Sequence, residues 1–289
     1  MQLTFGFAAD LSSTLTGNTS GVFTPLGWGL ATMQAIYIAG GISGAHLNPA
    51  ITIMLAIFRG FPARKIPSYI FAQLLGAFVA ALIAYGLFQP GIAAYAGSYT
   101  PADSTTQGTN VINSFITSLR EPYITWSTGF LNEFTATAFL VITVLALGDD
   151  SNAPPGAGMN ALIVGFVVAN LSLCFSFDTG AALNPSRDLG PRLALLALGF
   201  DSKDLFLDRA WFWLYGPWAG AITGALVGAM AYDICIFTGG ESPVNYSKPN
   251  VNRVVERTGH NWRKALRWER RAKPGKGPSE KELALEEDV

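Results

Sequence analysis

Long stretches without charge decide which class of protein this chain can form. Between Asp10 and Arg59 the sequence contains no Asp, Glu, Lys or Arg. A helix needs about twenty consecutive apolar residues to cross a bilayer core. Spans with at most one charged residue are predicted at Leu26–Ala39, Ile66–Phe88, Leu131–Leu147, Met159–Leu173 and Trp211–Ile234. Charged residues make up only 13% of the chain, about half the share in soluble domains, so we predict an all-α membrane protein.

Basic residues are unevenly distributed and predict the orientation in the membrane. Arg59, Arg64 and Lys65 cluster before the span that begins at Ile66, and eleven of the nineteen basic residues follow the last span. Loops rich in Lys and Arg favour the cytoplasmic side. We therefore expect both regions, including the polar tail at 239–289, in the cytoplasm, with the plasma membrane as the location.

Two short helices interrupt the pattern of full spans. Ala50–Phe58 measures about 13 Å at 1.5 Å per residue, or half a bilayer, and a second short helix is predicted at Pro185–Leu198. A helix that ends at mid-membrane leaves backbone groups unpaired, which is tolerated only inside protein or beside a water-filled cavity. Paired short helices in the two halves of a membrane protein indicate a transport site.

The two halves of the chain repeat each other. Segment 43–50 (SGAHLNPA) matches segment 179–186 (TGAALNPS) at an offset of 136 residues, from 43 to 179. We assign the repeats to about 1–88 and 125–238. An odd number of spans lies between equivalent points, so the repeats enter the membrane from opposite faces. The two half-helices should then meet with their N-termini near the midplane.

These motifs resemble those of the major intrinsic protein family, the aquaporins and glycerol facilitators. The two Asn-Pro boxes that carry the resemblance are Asn48-Pro49-Ala50 and Asn184-Pro185-Ser186. The resemblance covers about residues 10–238. It implies an aquaporin-like, right-handed inverted-repeat bundle at 1–238 with six transmembrane helices and two half-helices. In this chain we expect five full transmembrane helices and a partial first one, followed by a basic, flexible tail at 239–289. It also implies a homotetramer with one pore in each subunit.

The resemblance further implies a passive channel for glycerol, water and similar small uncharged solutes. In the family the amides of Asn48 and Asn184 donate hydrogen bonds to the permeating molecule. The positive ends of both half-helix dipoles would repel protons and cations. Proline in the first helical turn wastes no hydrogen bond, and Asn suits the preceding cap position. Ser186 departs from the usual Ala, but serine is nearly as small, so the helix should still begin there.

An outer constriction is expected to select between solutes. By position in the family, the predicted filter consists of Trp28, Ser172, Ala181 and Arg187. Water-selective members usually carry His at the position of Ser172, and the small Ala181 leaves the filter broad. The order Arg187-Asp188 resembles the glycerol-facilitator branch, so glycerol is the expected solute.

Three further residues are expected to support this site. Glu133 matches a buried family glutamate that accepts backbone amides of the Asn184 loop, and a buried charge within a membrane span is usually functional. His46 is expected to form structural hydrogen bonds, and Asp188 follows the filter arginine directly. An alternative for Arg187 is a structural ion pair with Asp188.

The first helix departs from the family pattern. Applying the offset of 136 to Glu133 places its partner before Met1, so the helix predicted at about Leu3–Ser13 is a truncated one. Either a lost first exon or a degenerate paralogue would account for this.

Other functions stay open at this point. A non-conducting membrane protein with an assembly or regulatory role is one alternative, and an ion-coupled transporter is another. Against the transporter, no acidic residue is evident beside the predicted midplane site. No nucleophile, base or metal cluster converges on a pocket, so no enzyme, cofactor, metal or nucleic-acid partner is expected. Cys174 and Cys235 fall in apolar spans and are expected to be buried.

Overall fold

The structure is a computed structural model that describes residues 1–18, 20–102, 104–156, 158–207, 211–240 and 242–245. The chain divides into two units at Val244, and the helices found among the described residues all belong to the first, Met1–Val244. The basic residues predicted for the tail lie outside the described residues. The α-helices are α1 (Gln2–Thr16), α2 (Phe23–Ser43), α3 (Pro49–Phe58), α4 (Ile66–Ala96), α5 (Thr106–Asn113), α6 (Trp126–Leu147), α7 (Asn160–Thr179), α8 (Pro185–Ala197) and α9 (Ala221–Cys235).

Helix lengths separate full spans from shorter helices. Helices α4, α6 and α7, together with the continuous stretch Leu214–Cys235, are long and apolar enough to cross a membrane. Helix α2 has 21 residues and no charged side chain. Helix α1 has 15 residues, or about 22 Å, which is less than the roughly 30 Å of a hydrocarbon core. Helix α1 as described is thus shorter than a full span, as the sequence predicted.

The ends of several helices differ from those predicted, and a proline accounts for the late start of α9. Helix α4 continues past Phe88 to Ala96 with Pro90 inside it, and α5 lies between the spans predicted at Ile66–Phe88 and Leu131–Leu147. The Thr105 side chain caps α5 by accepting from the Gly108 amide at 2.9 Å.

The last span is not uniform, because Leu214–Gly220 is a π-helix containing Pro217. Proline cannot donate the amide hydrogen bond of a regular α-helix, so the winding changes there.

Helix packing follows the repeat. Helix α2 packs against α7, and each half-helix packs against a long helix of the other repeat, α3 on α9 and α8 on α4. The crossing of α2 and α7 brings Gly29 against Gly165, which are related by the same offset of 136. A Cβ on Gly165 would lie 2.8 Å from the Gly29 carbonyl oxygen, so this close approach requires glycine.

The cysteines correct one expectation. Cys174 and Cys235 are both exposed on the bundle surface. In a protein surrounded by lipid, a small apolar side chain can face outwards at little cost, so an apolar span does not imply burial.

Candidate functional site

Each half-helix begins at an asparagine that caps it. The Asn48 side-chain oxygen accepts from the Ala50 amide at 2.8 Å. The Asn184 oxygen accepts from the Ser186 and Arg187 amides at 3.0 and 3.3 Å. In both cases proline occupies the first helical position, where a missing amide hydrogen costs nothing. Helix α8 begins at Pro185 despite Ser186, as predicted.

The amide groups of the same asparagines join the two loops. Asn48 Nδ2 donates to the Leu183 carbonyl oxygen at 2.7 Å, and Asn184 Nδ2 donates to the Leu47 carbonyl oxygen at 2.8 Å. These two bonds are related by the repeat. They hold the N-termini of α3 and α8 next to each other, as the inverted repeat predicts.

The loop backbones match residue by residue. Ala45 and Leu47 have φ angles of 44° and 55°, and their repeat partners Ala181 and Leu183 have 50° and 51°. Left-handed backbone is unfavourable for residues with a Cβ and persists only where surrounding contacts hold it. Two such residues in each loop indicate that the loops are held in place by their neighbours.

Glu133 on α6 provides that support for the Asn184 loop. Its carboxylate oxygens accept from the Ala182 amide at 3.0 Å and from the Leu183 amide at 2.7 Å. The Thr179 hydroxyl also donates to Glu133, at 2.6 Å, and its oxygen accepts from the Ala181 amide at 3.1 Å. One fully buried carboxylate therefore satisfies most of this loop.

The Asn48 loop is supported by neutral side chains. His46 Nδ1 lies 3.1 Å from the Thr52 hydroxyl, which donates to the Asn48 carbonyl at 2.9 Å. Gln73 Nε2 donates to the same hydroxyl at 3.0 Å. The His46 ring also packs against Tyr69, with ring centroids 5.0 Å apart. His46 therefore takes part in a hydrogen-bonded network, in agreement with the structural role expected of it.

A cavity of about 620 Å³ brings the predicted site residues together. Its lining includes both asparagines, His46 and all four residues of the predicted filter: Asn48, Asn184, His46, Trp28, Ser172, Ala181 and Arg187. Glu133 and Asp188 are not part of this lining. The residues were selected from four separate segments of the sequence, and their convergence on one cavity makes them a candidate site.

Arg187 is fixed in this cavity by several contacts. Its Nη1 donates to the Phe115 carbonyl oxygen at 2.7 Å. The guanidinium carbon lies 4.6 Å from the centre of the Trp28 ring and 5.4 Å from that of Phe7, within the range of cation–π attraction. Only 6% of the Arg187 side chain is exposed. Its remaining N–H donors can therefore reach little besides the cavity.

Comparison with known proteins decides the family. The model for "Major intrinsic protein" matches residues 2–232. The chain belongs to the major intrinsic protein family. It is 55% identical to aquaglyceroporin-4 of Botryotinia fuckeliana, an alignment that covers 95% of this chain and 37% of that protein. It is 42% identical to aquaglycerol porin AQY3 of Saccharomyces cerevisiae, over 88% of this chain and 38% of that protein. The chain thus spans less than two fifths of the length of these relatives.

A comparison with a solved structure supports the predicted fold. The X-ray structure of the aquaglyceroporin from Plasmodium falciparum matches with a TM-score of 0.67 and 30% identity, covering 81% of this chain and 95% of that one. This member of the major intrinsic protein family therefore has the all-helical, aquaporin-like bundle that the sequence predicted.

Asp188 does not pair with Arg187, which corrects the alternative considered for that arginine. Its carboxylate binds Arg192 Nε at 2.6 Å and accepts from the Thr117 amide and hydroxyl at 2.9 and 2.6 Å. Arg192 also donates to the carbonyls of Thr117 and Leu205. Asp188 thus anchors α8 to the segment before α6.

The acidic partner of Arg187 is Asp10 on α1, which the sequence reasoning missed. Asp10 Oδ2 lies 3.7 Å from Arg187 Nη2, and both carboxylate oxygens lie 3.2 Å from Trp28 Nε1. A signal was present, because Asp10 is the first charged residue of the chain and the last one before Arg59. The argument that selected Glu133, a lone charge in an apolar helix, applies equally to Asp10.

Proposed function

We propose that the chain forms a passive transmembrane channel for glycerol, water and similar small uncharged solutes. The observation that carries this proposal is the cavity of about 620 Å³ that contains both capping asparagines and the whole predicted filter. The names of similar proteins support the choice of solute. Two relatives and one solved structure are described as aquaglyceroporins or as an aquaglycerol porin. Glu133 and Asp188 are then structural supports, and no enzymatic step is involved.

The geometry of the asparagines suits neutral solutes. A side-chain amide nitrogen has two hydrogens, and the bond to the opposite loop uses one of them in Asn48 and in Asn184. The second can donate to a water or hydroxyl oxygen in the cavity. Because the N-termini of α3 and α8 meet there, both helix dipoles place positive potential on the same point, which opposes cations and protons.

The filter composition favours glycerol over water alone. Ser172 and Ala181 are small, so a three-carbon solute has room to pass. Trp28 offers an apolar wall for the carbon backbone, and Arg187 offers hydrogen-bond donors for the hydroxyl oxygens. These assignments are positional predictions that mutagenesis can test.

For the membrane setting, we propose the plasma membrane with a cytoplasmic C-terminal tail, and a homotetramer with one pore per subunit. Arg59 Nη2 lies 2.6 Å from Asp233 Oδ1 near the end of α9. The basic segment after α3 and the end of the last span therefore lie on the same side of the bundle. The positive-inside rule makes that side cytoplasmic.

Stopped-flow light scattering on proteoliposomes, with water and glycerol gradients measured in parallel, tests the proposal. The wild type should conduct both faster than empty liposomes. Asn48→Asp and Asn184→Asp each replace an amide donor with a carboxylate and should lower both fluxes at least tenfold. Asn110→Asp, on the exposed surface of α5, is the matched control. Wild-type flux equal to that of empty liposomes would favour the alternative, a non-conducting membrane protein.

A double variant tests the filter in the same assay. Ser172→His with Ala181→Cys narrows the constriction, so glycerol permeability should fall much more than water permeability. A parallel fall of the two would mean that the filter lies elsewhere.

A further inference from the structure

We propose that Asp10 is a specificity residue of the filter and supplies the hydrogen-bond acceptor that Arg187 lacks. The inference rests on the proposed channel function and deepens it, because it specifies the chemistry of the preferred solute. Asp10 lines the same cavity as the four predicted filter residues. It belongs to α1, whereas Trp28 and Arg187 belong to α2 and α8, so one carboxylate connects three helices at the constriction.

The orientation of Trp28 depends on this carboxylate. Indole Nε1 is a donor only, and in the structure it points to Asp10, with both oxygens at 3.2 Å. The same indole packs beneath the Arg187 guanidinium at 4.6 Å. Asp10 thus fixes the apolar wall and partly neutralises the cation beside it.

Asp10 and Arg187 form a loose ion pair beside the cavity. Their closest atoms are 3.7 Å apart, which exceeds the usual 2.7 to 3.2 Å of a direct N–H···O hydrogen bond. Both side chains are largely buried, with 13% and 6% of their surfaces exposed, so bulk water screens the pair weakly. A hydroxyl group of a solute in the cavity can lie beside the pair, where it can accept from Arg187 and donate to Asp10.

This arrangement selects a class of solute. Arginine has five donors and no acceptor, and an ionised carboxylate has acceptors only. Together they match molecules that present hydroxyl donors and acceptors side by side, such as glycerol and other small polyols. A water molecule can also bridge the pair, but it presents one oxygen where a polyol presents two or more, so polyol passage should depend more on the pair. Arg120 also lines the cavity, which makes Asp10 the acidic counterpart of two arginines there.

The experiment compares Asp10→Leu and Asp10→Asn in proteoliposomes. The leucine variant removes the acceptor, and the asparagine variant keeps an acceptor oxygen for Trp28 but loses the charge. A hydrogen bond to a charged group contributes about 1.5 to 3 kcal/mol, and 1.4 kcal/mol corresponds to a factor of ten. We expect glycerol permeability to fall about tenfold in Asp10→Leu and by a smaller factor in Asp10→Asn, with water permeability within about twofold of wild type in both.

Matched substitutions at Asp178 serve as controls. Asp178 lies in the last turn of α7, close in sequence to the cavity residues Ser176 and Gly180, but it does not line the cavity. The ratio of glycerol to water permeability separates a specificity role from a purely structural one, which would lower both fluxes in parallel. A parallel fall, or an unchanged ratio in both Asp10 variants, would overturn the inference while leaving the channel proposal intact. A wild type that conducts neither solute would overturn both.

Discussion

The Asn48 loop (residues 43–50) and the Asn184 loop (179–186) share one backbone and differ in what holds it. Left-handed residues occur at equivalent positions in both loops. In the Asn184 loop the amides of Ala182 and Leu183 bind the Glu133 carboxylate. In the Asn48 loop the equivalent amides, those of His46 and Leu47, have no hydrogen-bond acceptor among the described residues. Conformation is therefore conserved between the repeats while its support is not.

The same contrast appears four residues into the half-helices. Asp188 and Thr52 are repeat partners, separated by 136 positions. Asp188 binds Arg192 and Thr117 in a buried charged network, whereas Thr52 joins His46, Gln73 and the Asn48 carbonyl in a neutral one. A buried charge network is costly to disrupt, because each remaining partner keeps its desolvation cost.

The Asn48 loop also faces a second cavity, of about 420 Å³, between the start of α1 and α4. His46, Leu47 and Gln73 line it. The difference between the loops teaches that the Asn48 loop depends on its partner: the cross-loop bonds of Asn48 and Asn184 connect the weakly supported loop to the strongly supported one.

The largest expected effect is at Asp188. Asp188→Asn removes the charge that balances Arg192, which is 4% exposed, and disrupting a buried ion pair costs about 3 to 5 kcal/mol. The apparent melting temperature of the purified protein in detergent should fall strongly. The matched variant at the repeat partner, Thr52→Val, removes neutral hydrogen bonds worth about 1 kcal/mol each and should have the smaller effect. Equal losses in the two variants would contradict the contrast between charged and neutral support.

Glu133→Gln should have the next largest effect, and it should be local. Glutamine offers one acceptor oxygen in place of two, so one of the amides of Ala182 and Leu183 loses its partner, at a cost of about 1 to 3 kcal/mol. Hydrogen exchange measured by mass spectrometry should show faster exchange at 182 and 183 than in the wild type, where the bonds to the carboxylate should protect both amides. In the wild type the amides at 46 and 47 should already exchange faster than those at 182 and 183.

The control for this variant is Glu121→Gln, an exposed acid before α6. Its exchange pattern should match the wild type. Protection of the Asn184 loop that survives in Glu133→Gln would mean that the loop is held by its backbone and not by the carboxylate.

Repetition made much of this site predictable from sequence. The offset of 136 residues aligned the two Asn-Pro boxes, and the short length of the helix predicted after each box marked α3 and α8 as half-helices. Glu133 stood out because it is a single charge in an apolar span. The repeat and the half-helices needed only local pattern and the physics of a low-dielectric membrane, whereas the role of Glu133 and the choice of the filter residues rested on the family resemblance.

Contacts between distant segments could not be predicted in this way. The partner of Arg187 was sought in its neighbour Asp188, but helix α8 directs the two side chains to different places. Asp10 is 177 positions away in sequence (187 minus 10) and has no counterpart in a repeat-based argument. The neutral support of the Asn48 loop was missed for a related reason, since Thr52 and Gln73 are ordinary polar residues until packing brings them together.

The smallest expected effect concerns the one substitution that distinguishes the two boxes. The Ser186 hydroxyl donates to the Asn184 side-chain oxygen at 2.8 Å, which also accepts two backbone amides. Ser186→Ala makes the second box equivalent to the first, and the helix cap keeps both amides. Stability should therefore change by about 1 kcal/mol or less, and glycerol flux should stay within about twofold of wild type.

Ala50→Ser is the reciprocal variant: Ala50 is fully buried, so the added hydroxyl must fit a packed site and should be the more costly change. Measuring both variants by thermal unfolding and by glycerol flux per protein tests whether the boxes differ only in this hydroxyl. A loss of flux well beyond twofold in Ser186→Ala would show that the serine orients Asn184 for permeation, and the two boxes would then differ in function as well as in support.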